Sequence, residues 1–251
     1  MSRERYHLLD TIRGILLINM TAYHGLYDVV YIMGVPMDWY TGPIGYAWQQ
    51  AICWGFILLS GFCFRLSKRP MRHGLVILGA GVLVTLVTAV AMPSERIIFG
   101  VLYLLGLCAL IQCGVWALWN KLGLPPFPAG LGLALSALAF FLTRGVPSGY
   151  IGFEGLRLFI LPGWLYQWDL LAVLGLPGPG FWSSDYFPLV PWVFLYLCGY
   201  FLWRLIGSRQ RVMDRLRPGI GPLALIGRHS LLVYLLHQPA LMAVFTALQG
   251  L

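Results

Sequence analysis

Apolar residues run through this chain in blocks of about 20, the length a helix needs to cross a bilayer's hydrocarbon core. Such blocks lie over roughly 8–31, 44–64, 73–92, 97–119, 129–143, 187–206 and 223–248. Segment 153–176 is apolar too, but Pro162-Gly163 interrupts it and Arg157 and Asp169 lie within it. The pattern predicts a broken or re-entrant segment there, tolerable at membrane depth only where protein or a water-filled cavity covers the backbone. The loop 175–192, "GLPGPGFWSSDYFPLVPW", carries the Pro and Gly of a turn region and the Trp and Tyr of a membrane interface. The predicted fold is all-α: a polytopic transmembrane helical bundle of about seven to eight spans, one domain over 1–251.

Composition supports this. Hydrophobic residues make up 59% of the 251 and charged residues 10%, whereas soluble domains carry roughly 25% charged. The net charge of +8 does not point to nucleic acid, because the basic residues sit between apolar blocks instead of along one soluble face. They follow the cytoplasmic excess of Lys and Arg in membrane proteins. "MSRER", "RLSKRPMRH", Lys121 and "RLIGSRQRVMDRLRPG" all fall on the cytoplasmic side if the chain crosses seven times with its N-terminus inside. No cleavable signal peptide is visible. The five cysteines lie in apolar runs without a CxxC pair, a spacing that favours buried thiols over disulfides or metal.

The first block, "LLDTIRGILLINMTAYHGLYDVV", holds polar groups that fall into register. At about 100° per residue, Arg13 and His24 come within roughly 20° of each other, and Asp10 and Asp28 are five whole turns apart. Asp10, Arg13, Thr21, His24 and Asp28 thus share one face, with Asn19 pointing away. Charge in a membrane is costly unless paired or wetted, so this face should line the bundle interior or a hydrated passage. Asp10 can hold Arg13 and Asp28 can contact His24 at helical spacing. Interhelical bonding alone is the plainer alternative.

The last block, "IGRHSLLVYLLHQP", repeats the theme. Ser230, Tyr234 and His237 share a face at i, i+4, i+7, with Arg228 and His229 at the inner end. Pro239 frees a backbone carbonyl one turn earlier, which His237 or water could take. In the second block Gln49 and Ser60 share a face, while Gly55 and Gly61 suit close helix packing. Gly- and Ala-rich faces in 73–92 and 129–143 leave room for a homodimer.

"LLDTIRGILLINMTAYH" resembles the opening helix of the transmembrane acyltransferase superfamily, in which an Arg is followed, after ten residues, by a His. "LDTIRGI", "FILLSGFCF", "SSDYFPLVPW" and "IGRHSLLVYLLHQP" together most resemble its heparan-α-glucosaminide N-acetyltransferase-like branch, bacterial type. The resemblance implies a catalytic His, a cytoplasmic acetyl-CoA donor and an acceptor on the far side. Carried over, the His is His24; the branch's animal enzyme has no His there, which leaves the base open between His24 and His237.

The expected reaction is acetyl transfer to an amine or hydroxyl of an extracytoplasmic sugar or glycan, in a bacterial plasma membrane. Arg13, Arg65, Lys68, Arg69, Arg72 and Arg228 are candidates for the phosphates of acetyl-CoA, with Ser230 beside the donor; ordinary positive-inside topology is the rival for 65–72. His24 or His237 would act as base, Asp28 would orient His24, and Tyr234, Ser230 or Gln49 could donate to the developing oxyanion. Gln49, Asp185 and Tyr186 are candidates for the acceptor. No metal is expected. A transporter or flippase for an envelope intermediate is the competing function, and direct transfer and an acyl-His intermediate both stay open.

Overall fold

The computed structural model describes residues 5–249. In chain order it contains α1 (His7–Tyr27), α2 (Asp38–Thr41), α3 (Pro43–Cys63), α4 (Pro70–Ala91), α5 (Val101–Lys121), α6 (Ala129–Thr143), the strands β1 (Tyr150–Phe153) and β2 (Leu156–Ile160), then α7 (Leu189–Ile206), α8 (Gln210–Leu216), α9 (Gly221–Arg228) and α10 (Ser230–Gln249). Among the described residues, seven helical segments are long and apolar enough to cross a membrane: His7–Ile32, Pro43–Leu66, Pro70–Ala91, Val101–Lys121, Ala129–Ser148, Leu189–Ile206 and Ser230–Ala247. The chain is an integral membrane protein built as an all-α bundle.

One expectation needs correction. The block 223–248 is not one helix: it breaks at His229 (φ −98°, ψ 27°), leaving α9 as a short helix before α10. Segment 153–176 is interrupted, as expected, and forms no spanning helix. Its first part belongs to an antiparallel hairpin pairing Tyr150 with Ile160 and Phe153 with Leu156, closed by Glu154-Gly155 with Gly155 at φ 89°. Two 3₁₀ turns follow, Gly163–Tyr166 and Asp169–Leu174.

The helices group into two compact units, one formed by the segments before Ser60 and after Leu205, the other by Ser60–Leu205. In the first, α9 lies against the opening turns of α1 at backbone distance. A Cβ on Gly14 would come within 2.1 Å of the Leu223 carbonyl oxygen, and one on Gly227 within 1.8 Å of the Asp10 carbonyl oxygen. Only glycine fits at either place. The Thr11 hydroxyl, on a residue 2% exposed, accepts from the Ile220 N–H at 3.0 Å and donates to the His7 carbonyl at 2.9 Å. The His7 N–H donates to the Arg217 carbonyl at 3.3 Å, which puts the end of the basic 204–217 run beside the start of α1.

Further along, Leu17, Met20 and Ile52 form a buried cluster against which Phe56, Ile226, Val233 and Tyr234 pack. Contacts between α1 and α10 climb together, from Leu17 and Met20 near Val233 and Tyr234 to Asp28 at Gln238. The two helices therefore run parallel, as the first and seventh of seven crossings must. Asn19 points away from the polar face, as its position predicts. Its Oδ1 accepts from Trp48 Nε1 at 3.1 Å, joining α1 to α3.

In the second unit α4 and α5 form a helical hairpin. Gly74 faces Ala109, Gly81 faces Tyr103 and Gly106 faces Leu78. Gly132 of α6 is covered by the Phe201 ring of α7. Small residues in 73–92 and 129–143, which the sequence offered to a dimer, are thus partly used within the chain.

Candidate functional site

The polar face of α1 has two centres. Near its start, Asp10 is 7% exposed and gathers three arginines. Its carboxylate accepts from Arg5 Nε at 2.8 Å and Arg13 Nη1 at 3.3 Å, and Arg228 Nε lies 3.9 Å away. Arg228 Nη2 also donates to His7 Nδ1 at 2.9 Å. The i, i+3 pair Asp10–Arg13 is the one the spacing predicts. Arg5 and His7 had no assigned role: Arg5 reaches Asp10 from just before the helix, and only the docking of α9 brings Arg228 to His7. Among the described residues three guanidinium groups thus meet at one carboxylate, on side chains 25–54% exposed. Such a cluster suits a polyanion, since guanidinium matches phosphate with paired donors.

Eleven residues beyond Arg13, about 16 Å at 1.5 Å per residue, lies the second centre. The His24 and His237 rings meet edge to face with centroids 5.0 Å apart. Tyr234 contacts His237 edge-on at 5.4 Å while its ring packs on the Leu17 cluster. His237 Nδ1 bonds the Tyr234 carbonyl, a neighbour of the one that Pro239 frees. A carbonyl can only accept, so Nδ1 carries the hydrogen and the neutral ring presents Nε2 as a lone pair. That Nε2 is buried with no hydrogen-bond partner among the described residues.

Asp28 sits where α1 gives way to a π turn, Asp28–Ile32. It is 2% exposed, and its two oxygens accept from Gln238 Nε2 at 2.9 and 3.1 Å. The sequence reading assigned Asp28 to orienting His24. One of its contacts runs across to α10, to a glutamine that had been given no role. A buried carboxylate must find a donor, and that requirement is the signal that points to Gln238.

The remaining candidates are dispersed. Ser230 is half-buried at the start of α10. Gln49 Oε1 accepts from the Gln50 amide at 3.4 Å on its own helix. In the second unit Arg65, Lys68, Arg69 and Arg72 are exposed around the α3–α4 turn, Arg65 lying over the Trp116 ring at 5.8 Å. Asp185 accepts from the Val101 N–H at the head of α5, and burial pushes its carboxyl up to about 6. Tyr186 donates to the Ala172 carbonyl and packs against Phe181. Both acceptor candidates from this loop are thus engaged in holding it.

An aromatic group closes the far end of α1. The Tyr40 hydroxyl donates to the Tyr23 carbonyl at 3.0 Å. The Tyr23 ring meets Tyr40 and Trp48, and Trp39 stacks on Trp48.

A basic cluster where α9 meets the start of α1, and a histidine pair where α10 meets its later turns, thus lie along one helix of a membrane bundle. The chain belongs to the heparan-alpha-glucosaminide N-acetyltransferase catalytic family, whose profile matches residues 5–239. No curated protein and no solved structure matches it. Membership makes it a membrane acetyltransferase of a family whose substrate is a glycan.

Proposed function

We propose that the protein moves an acetyl group from cytoplasmic acetyl-CoA to an amine or hydroxyl of a sugar or glycan on the other side of a plasma membrane. One observation carries this reading: the arginine cluster at Asp10 and the His24–His237 pair occupy the same face of α1, about 16 Å apart. The cluster sits with the basic N-terminal end, which the positive-inside rule assigns to the cytoplasm. Arg13, Arg228 and Arg5 take phosphates of the donor; the positive-inside rule assigns the exposed Arg65, Lys68, Arg69 and Arg72 to the cytoplasm as well. The pantetheine arm follows the polar face outward and brings the thioester to the histidines.

There His237, with its Nε2 lone pair, takes a proton from the acceptor as nitrogen or oxygen attacks the carbonyl carbon. In this reading His24, at its edge, and the Tyr234 hydroxyl steady charge that develops on the ring and the carbonyl oxygen. Collapse of the tetrahedral species breaks the carbon–sulfur bond, and the thiolate leaves as CoA after protonation.

The decisive assay is CoA release from acetyl-CoA by the purified, folded protein, with His24→Ala and His237→Ala in parallel. Transfer that survives in both variants removes the histidines from the chemistry. Acceptor translocation without CoA release replaces the reading with a transporter.

A further inference from the structure

We infer that Gln238 selects the acceptor: its amide oxygen, aimed by Asp28, receives an N–H of the attacking amine beside His237. This rests on the acetyl-transfer reading and adds the residue that recognises the nucleophile.

The orientation of the Gln238 amide is settled by its partner. Asp28, buried on all sides, offers only acceptor oxygens when ionised, and both meet Gln238 Nε2. The amino end of the amide therefore faces Asp28, and Oε1 points away from it. That oxygen is buried and has no hydrogen-bond partner among the described residues. The adjacent residue is in the same condition. His237 spends its Nδ1 hydrogen on the Tyr234 carbonyl, so its buried Nε2 is a second acceptor without a partner.

Two neighbouring side chains of α10 thus present two buried acceptors where α10 packs on α1 beside His24. Buried polar groups in folded proteins are nearly all satisfied, and exceptions mark places where something else supplies the bond. A single nitrogen that meets both must bring two donors. A primary amine does so: one N–H on Gln238 Oε1, the other on His237 Nε2, with the nitrogen lone pair left for the carbonyl carbon. A hydroxyl brings a single hydrogen and leaves one buried acceptor unmet.

The reaction balances on these groups. The N–C bond forms as the C–S bond breaks. The amine proton passes to His237 Nε2 and then to the departing thiolate, giving an amide and CoA thiol. Asp28 does not touch the substrate; it is a positioning residue that holds the amide against rotation.

The test uses the full chain in lipid nanodiscs with acetyl-CoA and two probes, methyl α-glucosaminide and methyl α-glucoside, read by CoA thiol release. Wild type is expected to prefer the amine. Gln238→Met, of similar volume, is expected to raise KM for the glucosaminide roughly ten- to a hundredfold, with KM for acetyl-CoA within a factor of two. Asp28→Asn lets the amide turn over and is expected to shrink the amine preference while leaving the protein folded. An unchanged glucosaminide KM in Gln238→Met, or an intact amine preference in Asp28→Asn, overturns the assignment. If Gln238→Met fails to fold, Asp28→Asn decides alone. Equal use of both probes by wild type sinks the inference and leaves acetyl transfer standing; no CoA release from wild type sinks both.

Discussion

His24 of α1 and His237 of α10 meet edge to face at 5.0 Å, although 212 positions separate them in the sequence. One ring nitrogen of His237 is committed to its own helix, at the Tyr234 carbonyl. The pair is therefore asymmetric: His237 is fixed in one tautomer, and His24 is the ring beside it. Replacing His237 by Ala is expected to lower kcat by about 10²–10⁴, the usual size of general-base catalysis. His24→Ala is expected to fall in the same range, and the double variant to lose little more, because residues acting as a unit are not additive. Steady-state CoA release checks all three.

The arginine cluster gives a prediction about the donor alone. Arg228→Ala is expected to raise KM for acetyl-CoA roughly ten- to a hundredfold, the cost of one charged hydrogen bond, and to leave the acceptor KM in place. Arg228→Lys is expected to recover only part of this, because ammonium lacks the guanidinium fork. A donor lacking its 3′-phosphate should show a smaller loss on the same substitution if that phosphate is the partner.

Gly14 and Gly227 make a prediction about assembly. Each would drive a Cβ to about 2 Å from a backbone carbonyl oxygen, at 2.1 Å from Leu223 and 1.8 Å from Asp10. Neither backbone can yield cheaply, and overpacking of this kind costs at least about 1–3 kcal/mol. Gly227→Ala and Gly14→Ala are expected to lower the melting temperature in detergent. Both should also weaken acetyl-CoA binding, since the same contact brings Arg228 to Asp10.

Asp185 supplies a pH dependence. Its carboxyl titrates near 6 in the folded protein because burial disfavours the charged form, against about 3.9 in an unfolded chain. The folded state holds the proton more tightly, so this group's contribution to stability is present at low pH. It is lost as pH rises from about 4 to about 6, and stays flat above that. Asp185→Asn keeps an acceptor for the Val101 N–H and removes the titration. Its melting temperature is expected to change less than that of wild type between pH 4 and pH 7.

Much of the α1 site was legible in sequence because helical periodicity is local. Asp10, Arg13, His24 and Asp28 fall on one face by counting, and the Asp10–Arg13 contact follows from i, i+3 spacing alone. What periodicity cannot supply is the partner from another helix. Arg228 reaches Asp10 only because Gly14 and Gly227 let α9 touch α1, and Gln238 reaches Asp28 only because α10 runs parallel to α1. The break at His229 left no mark on the sequence, since "IGRHSLLVYLL" keeps an apolar rhythm across it. The hairpin at 150–160 was hidden for a related reason: a short apolar run reads equally as strand or helix. The clue that separates them is the Glu154-Gly155 turn, with Gly152 two residues before it.

Ten residues of α1 lie between Arg13 and His24, eleven helical steps, and on a helix reach and direction cannot be changed independently. One inserted residue would lengthen the interval by about 1.5 Å and swing His24 through about 100°, off the common face. Only steps of three or four residues, a full turn, keep both groups aligned. The helix therefore acts as a graduated rule, and a descendant of this chain suited to a shorter or longer carrier arm could be reached only by whole notches.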